Sequence, residues 1–105
     1  MVHHIVLFRL KERSPFLIEK MVGKLQSLEG KIDIIRSIEV AFDQVKGDRS
    51  YDIALTAQFD TFGDLRAYQD HPAHIEIAER INKGCDSVVV VDYEIKSEQE
   101  ILNCR

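Results

Sequence analysis

The chain has 105 residues, 14 Lys plus Arg against 18 Asp plus Glu for a formal charge of -4, and 45% hydrophobic side chains. That length suits one domain around one core and leaves no room for two. With an acidic balance and no basic run there is nothing to track a phosphate backbone, so nucleic acid is not the expected partner.

The longest apolar runs, Ile5 to Phe8 and Val88 to Val91, fall far short of the roughly 20 residues that cross a bilayer. The N-terminus opens into a strand pattern instead of a signal peptide. The expectation is a cytoplasmic protein without a membrane partner. Cys85 and Cys104 show no dense disulfide spacing and read as free thiols.

In chain order, residues 2–10 alternate, with Val2, His4, Val6, Phe8 and Leu10 on one side and His3, Ile5, Leu7 and Arg9 on the other. The period then changes. Ile18, Met21, Val22, Leu25 and Leu28 recur at three and four residues, between an N-cap at Ser14 with Pro15 behind it and a stop at Gly30. Gly23 inside this helix either exploits a close contact or weakens it. Residues 34–43 return to period two, 44–50 read as a turn, and Tyr51 to Phe59 form the next strand, so the two strands make an antiparallel hairpin.

Thr61 caps a helix with Asp64 in its first turn and Leu65 and Tyr68 on one stripe. Pro72 interrupts it. A continued or restarted helix, with Ile75, Ala78 and Ile81 inward, ends near Gly84, and Ser87 to Ile95 form a last strand. The order βαββαβ predicts an α+β ferredoxin-like subunit, a four-stranded antiparallel sheet with helices on one face. Its domain spans 1–96, and 97–105 form a solvated C-terminal tail. Because the first and last strands are apolar on both sides, the open sheet face needs cover, and a homodimer stacking two sheets supplies it.

The densest chemical constellation is Tyr68-Gln69-Asp70-His71-Pro72-Ala73-His74, with His4 added from the first strand. Imidazoles titrate near neutrality, and a phenol can orient or polarise a substrate oxygen. Each has a plainer reading: Tyr68 packed on the sheet, His71 capping the broken helix end, His74 in a structural hydrogen bond, and His4 buried with a partner. Asp52 and Asp92 each either pair with an amide or basic group or hold a histidine at a cavity. There is no HExxH signature, CxxC pair, phosphate loop or dinucleotide fingerprint, so neither a metal nor a cofactor is expected.

The segments VHHIVLFRLK, SYDIALTAQFDTFGDLRAYQDHPAH and VVVVDYEI, covering nearly the whole chain in order, resemble the stress-responsive dimeric α/β-barrel family. AYQDHPAH is the most specific part. The resemblance implies a dimeric α/β barrel of ferredoxin-like subunits, with a small-molecule cavity between sheet and helices. It covers plant stress-related proteins, uncharacterised bacterial proteins and a plant polyketide cyclase. In that cyclase the catalytic tyrosine and histidine correspond to Tyr68 and His74, and a strand histidine lining the site corresponds to His4. A further pocket histidine is replaced here by Asp52, which with His4 and His71 completes the candidate substrate-binding set.

Two functions follow as expectations. One is a homodimeric stress-associated protein binding a small hydrophobic or carbonyl-containing molecule. The other is a cofactor-independent enzyme, polyketide-cyclase-like, an isomerase or a monooxygenase, with His74 as general base and Tyr68 orienting the substrate.

Overall fold

The computed structural model describes residues 1–95. The expected tail at 97–105 and the free-thiol reading of Cys104 lie outside the described residues. The order is β1 (Val2–Leu10), α1 (Pro15–Gln26), β2 (Ser37–Phe42), β3 (Ile53–Phe59), α2 (Phe62–Asp70), α3 (Pro72–Lys83) and β4 (Cys85–Glu94). The four strands form one antiparallel sheet in the order β2-β3-β1-β4, the ferredoxin-like arrangement the sequence predicts. Among the described residues no helix is long and apolar enough to cross a membrane.

Alternation along the strands decides which face is covered. His4 stands opposite Ala57 on β3 and Asp92 on β4, and Val6 opposite Leu55 and Val90. Directly opposed side chains share a face, so one register aligns His4, Val6, Phe8, Val88, Val90 and Asp92 toward the helices. On that face α1 lies against β2 and β3, α2 against β1 and β3, and α3 against β4. Val2, Leu10, Ala57, Phe59, Ile53 and Leu55 form the floor of the core and are almost wholly buried. Asp52, just before β3, is also buried.

The helix boundaries follow local hydrogen bonding. Ser14 accepts from the Leu17 N–H and Pro15 opens α1. The helix closes at Gln26 with Ser27 as C-cap, one turn before the expected stop, and Gly30 serves the turn that follows, at a φ of 86°. Only glycine adopts that backbone without strain. Residues 34–36 are not strand as expected: Ile32 is buried and accepts the Ile35 N–H through its carbonyl. The period-two spacing there belongs to a turn packed on the core, and the ladder begins at Ser37.

Pro72 does restart the chain as a separate helix. Its buried stripe is Ile77 and Ile81, whereas Ile75, expected inside, is exposed. The stripe is set by His74, which joins Ile77, Ala78 and Ile81 at the i, i+3, i+4 and i+7 positions of one helical face.

Gly23 is solvent-exposed, and a side chain placed there meets nothing within 4 Å. The glycine therefore weakens α1 without serving a close contact. Gly23→Ala is expected to raise stability by roughly 0.5–1 kcal/mol in chemical denaturation; a loss of stability would show that this position is packed.

Candidate functional site

Tyr68 sits in the last turn of α2 and is 1% exposed. Its ring lies between Phe59, at a centroid distance of 5.0 Å, and His74, at 4.5 Å, with His4 edge-on at 5.9 Å. The first strand and two consecutive helices therefore bring a phenol and two imidazoles to one place. Burial pushes the Tyr68 hydroxyl up to about 12, so it remains protonated at neutral pH and can donate a hydrogen bond.

The break between α2 and α3 fixes His74. In a continuous helix the Ala73 N–H would donate to the Gln69 carbonyl, four residues back. Here Ala73 donates instead to His71 Nδ1 at 3.0 Å, and the Gln69 carbonyl accepts from His74 Nδ1 at 3.1 Å. A carbonyl oxygen can only accept, so His74 carries its hydrogen on Nδ1 and presents Nε2 as an acceptor when neutral. Its pKa is lowered, first by burial and then by the neighbouring His4 and His71, against an opposing contribution from the Gln69 carbonyl.

His4 is held in a parallel way. It is 4% exposed, and its Nδ1 lies 2.5 Å from an Asp92 carboxylate oxygen on β4. Of the two readings open for Asp92, the structure places it as the partner of a histidine. The register dictates this, since His4 and Asp92 are directly opposed across the β1–β4 pair.

His4, Tyr68 and His74 line one end of a cavity of about 200 Å³ between the sheet and the helices. Apolar side chains such as Phe8, Leu25, Leu55 and Ile81 line the rest, and Val88 and Val90, on the β4 edge, form its rim. Gln69 and Asn82 also line it. Sequence reasoning missed both. The signal for Gln69 was its place three residues before Pro72, where a helix end leaves carbonyls without helical partners.

Two expected site residues are elsewhere. His71 caps α3 through its Nδ1 and does not line the cavity. Asp52 lies beside the Phe8 end of β1, roughly 13 Å along the strand from His4 by the strand rise. Its carboxylate accepts from the Leu10 N–H at 2.9 Å and from Arg13 Nε at 3.1 Å. Asp52 thus ties β3 to the loop after β1, and the residue replacing the cyclase's extra histidine stands outside this cavity. A second cavity of about 160 Å³ lies at that end, between Arg13, Lys46 and Asp52. Among the described residues no group of three or more His, Cys, Asp or Glu side chains is placed to hold a metal ion.

The chain matches the Stress responsive A/B Barrel Domain over residues 2–95 and belongs to that family. It is 29% identical over 97 residues to an uncharacterised protein of Streptomyces coelicolor, covering 90% of this chain and 99% of that one. Among solved structures, it is similar to a dimeric ferredoxin-like protein of unknown function from Bacteroides fragilis, with 32% identity, a TM-score of 0.78, and 90% and 95% of the two chains covered. A dimeric ferredoxin-like protein of unknown function from Thermobifida fusca matches at 28% identity with a TM-score of 0.79, covering 90% of each chain.

Because the folded chain resists protonating His74, the unfolded chain binds more protons just below the ordinary imidazole value of 6.5. The contribution of His74 to stability is therefore complete above that value and is lost as pH falls toward its lowered folded pKa. NMR titration of the His74 ring should give a midpoint below 6.5, and His74→Gln should flatten this part of the stability-versus-pH curve. A midpoint at or above the ordinary value would contradict the burial argument.

Proposed function

We propose that this chain works as a homodimer that binds a small, largely apolar molecule in the cavity between His4, Tyr68 and His74. The observation that carries the reading is the cavity's construction: apolar walls with a phenol and two imidazoles gathered at one end. Such a combination buries an apolar body and orients it by a few polar contacts. A cavity of about 200 Å³ is larger than the ~150 Å³ that suffices for benzene, so a single ring or a short chain is the right scale. A small hydrophobic or carbonyl-containing molecule fits these terms.

The dimer is supported by the sheet face away from the helices. Leu7, Val89, Val91 and Tyr93 project there and are 36–54% exposed, giving a contiguous apolar surface unusual for a free sheet. The similar proteins of Bacteroides fragilis and Thermobifida fusca are described as dimeric. Light scattering at micromolar concentration should give twice the chain mass, and Val91→Asp should shift the protein toward monomer. A monomeric parent protein would overturn this part of the reading.

One observation favours a second reading, in which the bound molecule is also transformed. Neutral His74, with Nδ1 committed to Gln69, presents an unprotonated Nε2, and its ring packs against that of Tyr68, whose hydroxyl stays protonated. For a carbon acid between two carbonyls, Nε2 would take the proton, the C–H electron pair would move into the enolate, and Tyr68 would donate to the enolate oxygen. Incubating the purified dimer with an activated poly-carbonyl compound separates the readings. Turnover lost in a still-dimeric His74→Ala variant supports catalysis, saturable binding without turnover supports the binding protein alone, and neither signal contradicts both.

A further inference from the structure

Resting on the reading that this cavity holds a small molecule, we infer that its ligand is an uncharged hydroxyl compound, an alcohol, phenol or enol, whose O–H donates to imidazole Nε2, and is not a carboxylate or phosphate. The hydrogen-bond directions at the polar end lead to this class. Both imidazoles have committed Nδ1, His4 to the Asp92 carboxylate and His74 to the Gln69 carbonyl. Both partners are acceptors only, so each Nδ1 carries the hydrogen and each neutral ring turns an acceptor toward whatever occupies the remaining space.

Among the described residues no protein group pairs with either Nε2, and no fully buried side-chain nitrogen or oxygen is left without a partner. Both Nε2 atoms therefore reach open space, and the space these two rings share is the cavity they line. Tyr68 completes the pattern. Its protonated hydroxyl can donate to the ligand's oxygen lone pairs while an imidazole accepts the ligand's proton, which a hydroxyl satisfies in both directions and an ether or ketone in only one.

Charge argues the same way. Among the described residues no Lys or Arg lines this cavity. Arg9, Arg13, Arg36 and Arg80 are engaged by Asp86, Asp52, Asp60 and Glu76 outside it. At the polar end the Asp92 carboxylate lies behind His4. An anionic ligand would lose its hydration and face that negative charge with no Lys or Arg among the described residues lining the cavity to offset it.

The test is a series of near-isosteric single-ring probes, phenol, anisole, toluene and benzoate, titrated at pH 8 and followed by the ring resonances of His4, Tyr68 and His74. At that pH benzoate is ionised and phenol is not. Phenol is expected to bind about tenfold tighter than anisole, toluene or benzoate, the cost of leaving a desolvated acceptor unpaired. Long-range proton–nitrogen spectra should show Nδ1 protonated in both rings, and phenol should shift the Nε2 signals. Tyr68→Phe should keep the preference for phenol over anisole, whereas His74→Phe should reduce it.

If toluene and anisole bind as well as phenol, the cavity reading stands and the hydroxyl class is overturned. Benzoate binding tightest overturns it as well. If none of the four moves these resonances at millimolar concentration, the cavity reading beneath the inference fails. The nitrogen spectra of the unsubstituted protein decide the tautomers even if a variant does not fold, and Nε2-protonated rings would overturn the inference directly.

Discussion

Pro72 carries no N–H, and a continuous helix from Phe62 to Lys83 would leave the Tyr68 carbonyl without its partner four residues on. The chain resolves this by exchanging partners. The Tyr68 carbonyl takes the His71 N–H at 3.2 Å, His71 Nδ1 takes the Ala73 N–H, and the freed Gln69 carbonyl takes the His74 ring. Two histidines thereby replace helical hydrogen bonds, and the second is oriented by the exchange. In an ideal helix, residues six apart point about 120° away from each other, whereas the break sets the Tyr68 and His74 rings at 4.5 Å.

The remainder of the site comes from the sheet. The pairing of β1 with β4 places Asp92 against His4, and the pairing of β1 with β3 places Leu55 opposite Val6. A slip of one residue in either strand would send His4 or its partner to the open face. Asp52 steadies the opposite end of the same strands by holding the Leu10 amide and Arg13. The two aspartates that the sequence leaves equivalent are thus separated by position: one anchors the loop after β1, the other orients an imidazole.

Much of this was legible in the chain. Alternation in residues 2–10 assigned His4 to the helix side, the Ser14-Pro15 and Thr61 signals located two helix starts, and Pro72 marked the break. Three things were not legible. The helix-like and strand-like spacings at 27–36 ended elements in the wrong places, because buried turn residues such as Ile32 imitate the periodicity of the elements they join. The inward stripe of α3 could not be phased without knowing that His74, not Ile75, faces the core. The roles of Asp52 and Asp92 depend on which residue stands opposite across the sheet, and one sequence does not reveal register between strands far apart in the chain.

The break at residues 71–72 brings the Tyr68 and His74 rings together beside His4. Nuclear Overhauser contacts between the ring protons of these three residues in solution test it most directly. Cross-peaks are expected for both the Tyr68–His74 and the Tyr68–His4 pairs. A Tyr68–His4 contact without any between Tyr68 and His74 would mean that the helix runs through the proline with His74 turned away, and would contradict it.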